Sequence, residues 1–112
     1  MYSIDSYHLK KADENTKIIF NEFLKITQSF GPILIEPLKS IITLKKHSQF
    51  CAITIQKKTL KIVFRMYSAV GSPRFNRTSQ QMDMMYYEMY IRSIEELDPE
   101  LIFWLKSAYE EN

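Results

Sequence analysis

The sequence predicts an α+β fold: a two-layer sandwich in which a four-stranded antiparallel sheet carries an N-terminal and a C-terminal helix on one face, in the order α-β-β-β-β-α. Three periodicities predict it. A 3.6-residue apolar period runs through residues 13–31, a two-residue period runs through much of residues 41–92, and a helical pattern returns in residues 93–112. An antiparallel sheet can present one face to helices and the other to water.

The first helix is predicted to begin at Asp13, which can cap its N-terminus. Ile19, Phe23 and Phe30 then recur on one face. Gly31 followed by Pro32 ends the pattern, because glycine accepts a left-handed conformation and proline cannot continue a helix. Residues 32–40 contain two prolines and are interpreted as a connector.

Strands follow where the period becomes two. Three runs, at residues 41–45, 51–56 and 60–67, are separated by short polar interruptions and predict a meander of hairpins. Residues 68–81 are polar and turn-rich and predict a long loop. The Met- and Tyr-rich run 84–92 is interpreted as the fourth strand, because tyrosines suit a pleated surface. The core face of the sheet is expected to carry Ile42, Ile53, Ile62, Phe64 and Met89.

The chain closes with two helix-start signals. Ser93 and Glu96 form a capping box, and Asp98 precedes Pro99 as an N-cap precedes the first helical residue. An apolar face that includes Leu101 and Leu105 follows. We therefore expect one domain over residues 1–112: an N-terminal arm (1–12), a helix (13–31), a sheet (41–92) and a C-terminal helix (93–112).

Composition narrows the class of protein. Of the 112 residues, 46% are hydrophobic and 25% are charged, which is typical of a folded globular chain rather than a disordered one. The single cysteine excludes an intrachain disulfide, and residues 1–11 lack the apolar segment of a signal peptide. A cytoplasmic location is therefore expected. No apolar run approaches the ~20 residues that cross a membrane.

Several short segments resemble a known family. These are Ser29-Phe30-Gly31 at the helix end, residues 36–42, Gln49-Phe50 before a strand, the basic hairpin 57–61, and the closing segment 93–98 leading to Ala108-Tyr109. The pattern is similar to a small uncharacterised bacterial and archaeal domain often labelled "predicted transport protein", which stands alone or at the C-terminus of larger proteins. The resemblance covers roughly residues 14–111 and supports the fold, since the label implies no established activity.

Charge is distributed unevenly along the chain. No acidic residue lies between Glu36 and Asp83, whereas nine basic residues do. Residues 94–112 contain six acidic residues and one basic residue, Lys106. The sequence therefore predicts a cationic sheet with its loops and an anionic C-terminal helix.

The candidate binding residues lie on the predicted outer sheet face and in the long loop. They are Lys45, Lys61, Arg65, Arg74, Arg77, Tyr86, Tyr90 and Arg92. We expect a non-enzymatic interaction module that uses this face and the 68–81 loop to bind a protein partner or a second copy of itself, the second copy docking its acidic helix on the basic face. The alternative is a domain that binds single-stranded DNA or RNA, because tyrosines among cations can stack bases while the cations hold phosphates.

Catalysis has little support in the sequence. His8 and His47 stand far apart, and Cys51 is expected on a core face where a thiol is inert. The residues have no metal-ligand spacing, so neither a metal nor a cofactor is expected. A hydrolase or nuclease is the third and least supported hypothesis. Phe75 and Trp104 are candidate partner anchors, although each is expected to pack against its own domain.

Overall fold

The computed structural model describes residues 2–112 and contains two helices and one six-stranded antiparallel sheet. The helices are α1 (Glu14–Gln28) and α2 (Pro99–Glu111), and the strands are β1 (Leu34–Pro37), β2 (Ile42–Lys45), β3 (Gln49–Ile55), β4 (Leu60–Met66), β5 (Arg77–Gln81) and β6 (Met84–Ile91). The strand order is β1-β2-β3-β4-β6-β5. The α+β class and the antiparallel sheet are confirmed, and the predicted number of four strands is wrong.

Helix α1 begins where the sequence predicts, directly after Asp13, but it ends at Gln28, three residues before the predicted stop at Gly31. The Asp13 carboxylate accepts a hydrogen bond from the Thr16 backbone N–H at 2.8 Å and so caps the first turn. Ile19 and Phe23 are fully buried on the inward side. Gly31, just beyond the last turn, has a φ of +144°, a conformation that other residues rarely adopt. The chain therefore turns away from α1, two residues after the Ser29 cap, at a position that glycine occupies without strain.

The covered face of the sheet is apolar, as alternation predicts. Ile53, Ile62 and Met89 stand side by side across β3, β4 and β6, and none is more than 1% exposed. Helix α2 packs across β3 and β4, and α1 contacts β4. Ile42 and Phe64 join the same core. Both helices therefore share one layer against one sheet face, and the core lies between the two layers.

Strand β1 lies in the segment that the sequence analysis interpreted as a connector. Residues 34–37 pair with β2 in antiparallel register, with Leu34 opposite Lys45 and Pro37 opposite Ile42. The two prolines misled the prediction, but proline is tolerated at the end of an edge strand, where one side needs no ladder hydrogen bond. The sheet therefore starts at residue 34 rather than 41.

The prediction of a loop over residues 68–81 is wrong at its C-terminal end, where residues 77–81 form strand β5. Arg77–Gln81 forms a hairpin with β6, and Met82 and Asp83 lie between the two strands. All five residues of β5 are polar, so no apolar alternation marks them as a strand. An edge strand needs no apolar face when no helix packs on it. The irregular segment between β4 and β5 is therefore limited to residues 67–76.

The start signals of the C-terminal helix are both present, but they open two separate turns. Ser93 and Glu96 form the capping box of a short helical turn at Ile94–Glu96. Asp98 then caps α2 by accepting a hydrogen bond from the Leu101 backbone N–H at 3.0 Å. Trp104 lies in α2 and is 6% exposed. Its indole lies 4.8 Å from the Phe75 ring and 6.3 Å from the Phe64 ring, so both predicted anchors, Phe75 and Trp104, pack against their own chain.

Candidate functional site

The second face of the sheet, here called the outer face, is not covered by any element of the chain between residues 2 and 112. Strand register places Arg77 on it, opposite Glu88, together with five more of the predicted site residues. Lys61 and Arg65 of β4 stand opposite Tyr90 and Tyr86 of β6, and Lys45 lies on the same side of β2. All five are partly exposed. The alternation therefore brought these residues to one face, as the sequence indicated.

Acidic neighbours reduce the positive charge of this face. The Lys45 Nζ lies 2.7 Å from a Glu36 carboxylate oxygen, and the Lys61 Nζ lies 3.6 Å from Glu88. Glu36 lies in β1, and Glu88 is opposite Arg77 in the β5–β6 register. Such pairs add little stability at a surface, but each cancels a charge that a polyanion would need. Two of the expected phosphate contacts are therefore already occupied.

Arg65 of β4 is held by the two neighbouring strands, β3 and β6. Its Nε donates to the backbone carbonyl of Gln49, and its Nη1 lies 3.3 Å from the Tyr86 hydroxyl. No carboxylate within residues 2–112 lies within ion-pair distance of this guanidinium. Its position is fixed while its charge is not neutralised, which suits contact with an external carboxylate or phosphate.

Arg74 does not belong to the outer face. Its Nη1 lies 2.9 Å from Asp98 and 3.0 Å from Glu100, and its Nη2 donates to the Glu96 carbonyl at 3.0 Å. Its guanidinium carbon lies 5.7 Å from the Trp104 ring. Burial alone would lower the pKa of Arg74, but hydrogen bonds and charge from Asp98 and Glu100 raise it. The guanidinium fastens the loop to the start of α2, and its charge is paired within the chain.

Arg77 and Arg92 are exposed and lack a carboxylate within ion-pair distance in the described part of the chain. Arg77 begins β5, while Arg92 follows the last residue of β6. The Arg92 guanidinium lies 5.2 Å from the centre of the Tyr90 ring. A groove of about 470 Å³ runs beside Tyr90 and Arg92, past Arg74, Asn76 and Glu96, and Arg77 does not line it. The predicted cations therefore fall into two groups. Lys45, Lys61 and Arg74 are paired within the chain, whereas Arg65, Arg77 and Arg92 are in no ion pair within the described residues.

The structure brings together a further cluster on this face that the sequence did not predict. We call it the hairpin patch: Arg65, Tyr67, Met82, Met84 and Tyr86, which border a groove of about 340 Å³. Met82 is 94% exposed and has a φ of +56° at the tip of the β5–β6 hairpin. Tyr67 is 59% exposed. Two residues between two strands are typical of a β-hairpin. The sequence did not reveal this hairpin because β5 has no apolar residues and was not recognised as a strand.

The 67–76 segment is fixed from both ends of α2. The Glu111 carboxylate accepts hydrogen bonds from the Tyr67 and Ser68 backbone N–H groups at 2.7 and 3.1 Å. The Tyr87 hydroxyl donates to the Ser68 carbonyl and accepts from the Val70 N–H, both at 2.9 Å. With the Arg74 contacts, these bonds attach the segment to the helix layer. The loop was expected to carry binding residues, and most of its polar groups instead face the chain.

The residues considered for catalysis lie apart. The His8 Nε2–H donates a hydrogen bond to the Leu38 carbonyl oxygen at 2.7 Å, and His47 is exposed in a turn. Cys51 is buried, and its burial raises the pKa of the thiol, so the reactive thiolate form is disfavoured. Within residues 2–112, no three His, Cys, Asp or Glu side chains come together as a metal site. No helix in that range is long and apolar enough to span a membrane.

Comparisons with known proteins and with protein families identify a domain family. Neither the search of curated proteins nor the search of solved structures found a match. A family model described as a domain of unknown function, DUF5655, matches residues 4–112. The match includes both helices and all six strands. The resemblance to an uncharacterised domain is thereby confirmed, and the chain belongs to the DUF5655 family.

Proposed function

We propose that this chain is a non-enzymatic module that binds a protein partner through the hairpin patch and the adjoining outer face. The observation that supports it is the composition of the patch: two tyrosines, two methionines and an arginine, with Gln81 and Asp83 beside them, on a face that no helix of the described chain covers. Tyrosine, methionine and arginine are the residues enriched in protein interfaces, while lysine and glutamate are depleted.

The exposed methionine strengthens the case for a protein partner. A nonpolar side chain that is 94% exposed contributes nothing to the folded chain, and its positive φ costs about 1 kcal/mol or more. Methionine adapts its shape to a partner because its side chain is unbranched and flexible. Arg65 beside it is in no ion pair within the described residues, and Asp83 borders the same groove. A partner with apolar side chains next to a carboxylate fits this surface.

A second copy of the chain fits less well. The proposed docking of the acidic helix on the basic face needs free carboxylates, but Asp98 and Glu100 bind Arg74 and Glu111 binds the 67–76 segment. Glu96 accepts hydrogen bonds from the backbone N–H groups of residues 92 and 93. Four of the six carboxylates of the acidic segment are therefore held by contacts within the chain, while Glu95 and Glu110 are in no ion pair among residues 2–112. Because the held carboxylates cannot reorient freely toward a second copy, we propose a different protein as the partner.

Single-stranded nucleic acid remains the second candidate. Tyr90 with Arg92 beside it, and the unpaired Arg77 on the neighbouring strand, supply an aromatic ring among cations. We rank it second because Lys45, Lys61 and Arg74 are neutralised within the chain. Fluorescence anisotropy with labelled single-stranded DNA and RNA tests it at two salt concentrations. Binding that weakens steeply with salt and is lost in an Arg77→Glu, Arg92→Glu variant would favour nucleic acid.

We further propose a cytoplasmic location, supported by the free, buried thiol of Cys51, since a fold without disulfides suits a reducing compartment.

Site-specific photo-crosslinking in cells tests the protein-binding proposal. A photoreactive residue replaces Met82, and a matched control replaces Ile18, which is 57% exposed on α1. We expect a discrete adduct from position 82 that disappears when Tyr67→Ala and Tyr86→Ala are added, and no such adduct from position 18. The proposal fails if both positions give the same adducts. It also fails if the adduct has twice the mass of the chain and light scattering shows a dimer.

A further inference from the structure

A groove of about 360 Å³ lies apart from the outer face, between the N-terminal arm and the turn that joins β1 to β2. Three lysines, Lys10, Lys11 and Lys39, line it together with the hydroxyl-bearing residues Ser6 and Ser40. No acidic residue lines it. The sequence analysis assigned no role to these residues, because they come from segments almost thirty positions apart in the chain.

One hydrogen bond brings the two segments together. The His8 Nε2 lies 2.7 Å from the Leu38 carbonyl oxygen, and His8 is 9% exposed. The Leu38 N–H in turn donates to the Ile41 carbonyl at 2.8 Å and closes the turn that presents Lys39. The arm lysines follow His8 directly, and Lys39 follows Leu38. The contact therefore sets the two halves of the groove side by side.

The arm is anchored on both sides of its lysines. Leu9 and Ala12 are buried in the core, at 6% and 9% exposure. The Asp13 N–H donates to the Lys57 carbonyl at 2.8 Å, which fastens the end of the arm to the β3–β4 turn. The backbone around Lys10 and Lys11 is thus held in place before any ligand arrives. A preorganised site loses less entropy on binding than a mobile arm would.

The charges of this groove differ from those of the outer face. None of the three lysines has a carboxylate within ion-pair distance in the described residues, whereas Lys45 and Lys61 each have one. Like charges gathered in a concave site without counter-charges raise the local concentration of anions. Ammonium groups with neighbouring hydroxyls supply several donors to one anion, which suits the three oxygens of a phosphate.

We propose that this groove binds a phosphomonoester of about nucleotide size, with the phosphate held by Lys10, Lys11 and Lys39. The size argues against free phosphate as the whole ligand, because 360 Å³ falls within the range of about 300–1,000 Å³ for small-molecule sites. A nucleoside monophosphate and a sugar phosphate share this chemistry, and the experiment separates them.

Two-dimensional amide NMR of the full chain tests the proposal, with AMP, ribose 5-phosphate and adenosine as probes. We expect saturable shifts around residues 10, 11 and 39 with AMP or ribose 5-phosphate, at a dissociation constant below about 1 mM, and none with adenosine. Tighter binding of AMP assigns the site to a nucleotide, and equal binding assigns it to the sugar phosphate portion. A Lys11→Gln, Lys39→Gln variant should bind at least about tenfold more weakly.

The matched control is Lys106→Gln, which removes the same kind of charge from α2 outside the groove. It should leave the affinity unchanged. Equal weakening in this control, or no saturable shift up to about 10 mM probe, overturns the proposal. Binding of an oligonucleotide without binding of either monoester also overturns it. Well-dispersed spectra of each variant establish that the chain is folded. The hairpin patch is intact in all of them, so the crosslinking result is independent.

Discussion

The two faces of the sheet follow different rules although they share the same strands. On the covered face, neighbours across the strands are apolar and almost fully buried, as Ile53, Ile62 and Met89 are. On the outer face, small apolar residues such as Ala52 and Val63 stand among charged and aromatic ones, and some of the charged ones find polar partners, as Lys61 does with Glu88. The comparison teaches that alternation is sufficient to specify a covered face. The properties of an uncovered face depend on which side chains happen to meet, and alternation does not contain that information.

We expect the greatest difference in stability between alanine substitutions at two adjacent residues of β4. Phe64 is buried in the aromatic cluster with Trp104 and Phe75, so Phe64→Ala should lower the free energy of unfolding by about 3–5 kcal/mol. Val63 points to the outer face and is partly exposed, so Val63→Ala should cost about 1 kcal/mol or less. Urea unfolding measures both. Equal losses would show that the outer face is also packed, and the contrast between the faces would be broken.

A second test concerns the boundary of the covered layer. A Cβ atom on Gly31 would lie 2.5 Å from the Tyr109 hydroxyl, at a φ of +144°. Gly31→Ala should therefore destabilise the chain by about 1–3 kcal/mol. Gly71→Ala is the matched control, because nothing lies within 4 Å of its Cβ position, and its effect should stay within about 0.5 kcal/mol. A neutral Gly31→Ala in thermal or urea unfolding would mean that α1 and α2 can separate there at no cost.

Two short ion pairs test whether burial determines how much such a pair stabilises the chain. Arg74 is bound to Asp98 at 2.9 Å and has a side chain that is 24% exposed, while Lys45 is bound to Glu36 at 2.7 Å and is 38% exposed. Arg74→Met should cost about 1–2 kcal/mol, because it leaves polar groups at the start of α2 without their partner. Lys45→Met should cost about 0.5 kcal/mol or less. Similar losses in urea unfolding would indicate that distance, rather than burial, determines the strength of these pairs.

The smallest expected effect is a dependence of stability on pH. The hydrogen bond from the Leu101 N–H and then the Arg74 guanidinium hold the pKa of Asp98 below its ordinary 3.8. A pKa lowered by folding means that the contribution is complete above about pH 5 and is lost as the pH falls through the folded-state value. Asp98→Asn retains a capping residue but cannot titrate, so it should flatten the fall in unfolding free energy between about pH 5 and pH 3. An unchanged slope would exclude Asp98 as a source.

The sequence was sufficient for the elements that bury a periodic apolar face. The Asp13 cap, the core face through Phe64 and the Ser93 capping box were all predicted because their signals are local. Strands β1 and β5 were not predicted, because a proline-containing edge and an all-polar edge have no such signal. Both are held by hydrogen bonds to a neighbouring strand, which composition does not reveal.

The candidate site could be predicted only in part. Alternation correctly placed Lys61, Arg65 and Tyr86 on one side of the sheet. It did not reveal that Arg74 would turn away, since its partners Asp98 and Glu100 lie more than twenty residues further along. Pairings over that distance follow from the path of the backbone, and the same holds for the meeting of the arm with the β1–β2 turn.

The single tryptophan occupies an informative place. Trp104 contacts Phe75 and lies beneath Arg74, two of the side chains through which the 67–76 segment rests on α2. Its fluorescence is therefore a built-in optical reporter of that attachment, because release of the segment would admit water to the indole and move its emission to longer wavelength. An event at this part of the molecule can be followed without attaching a dye.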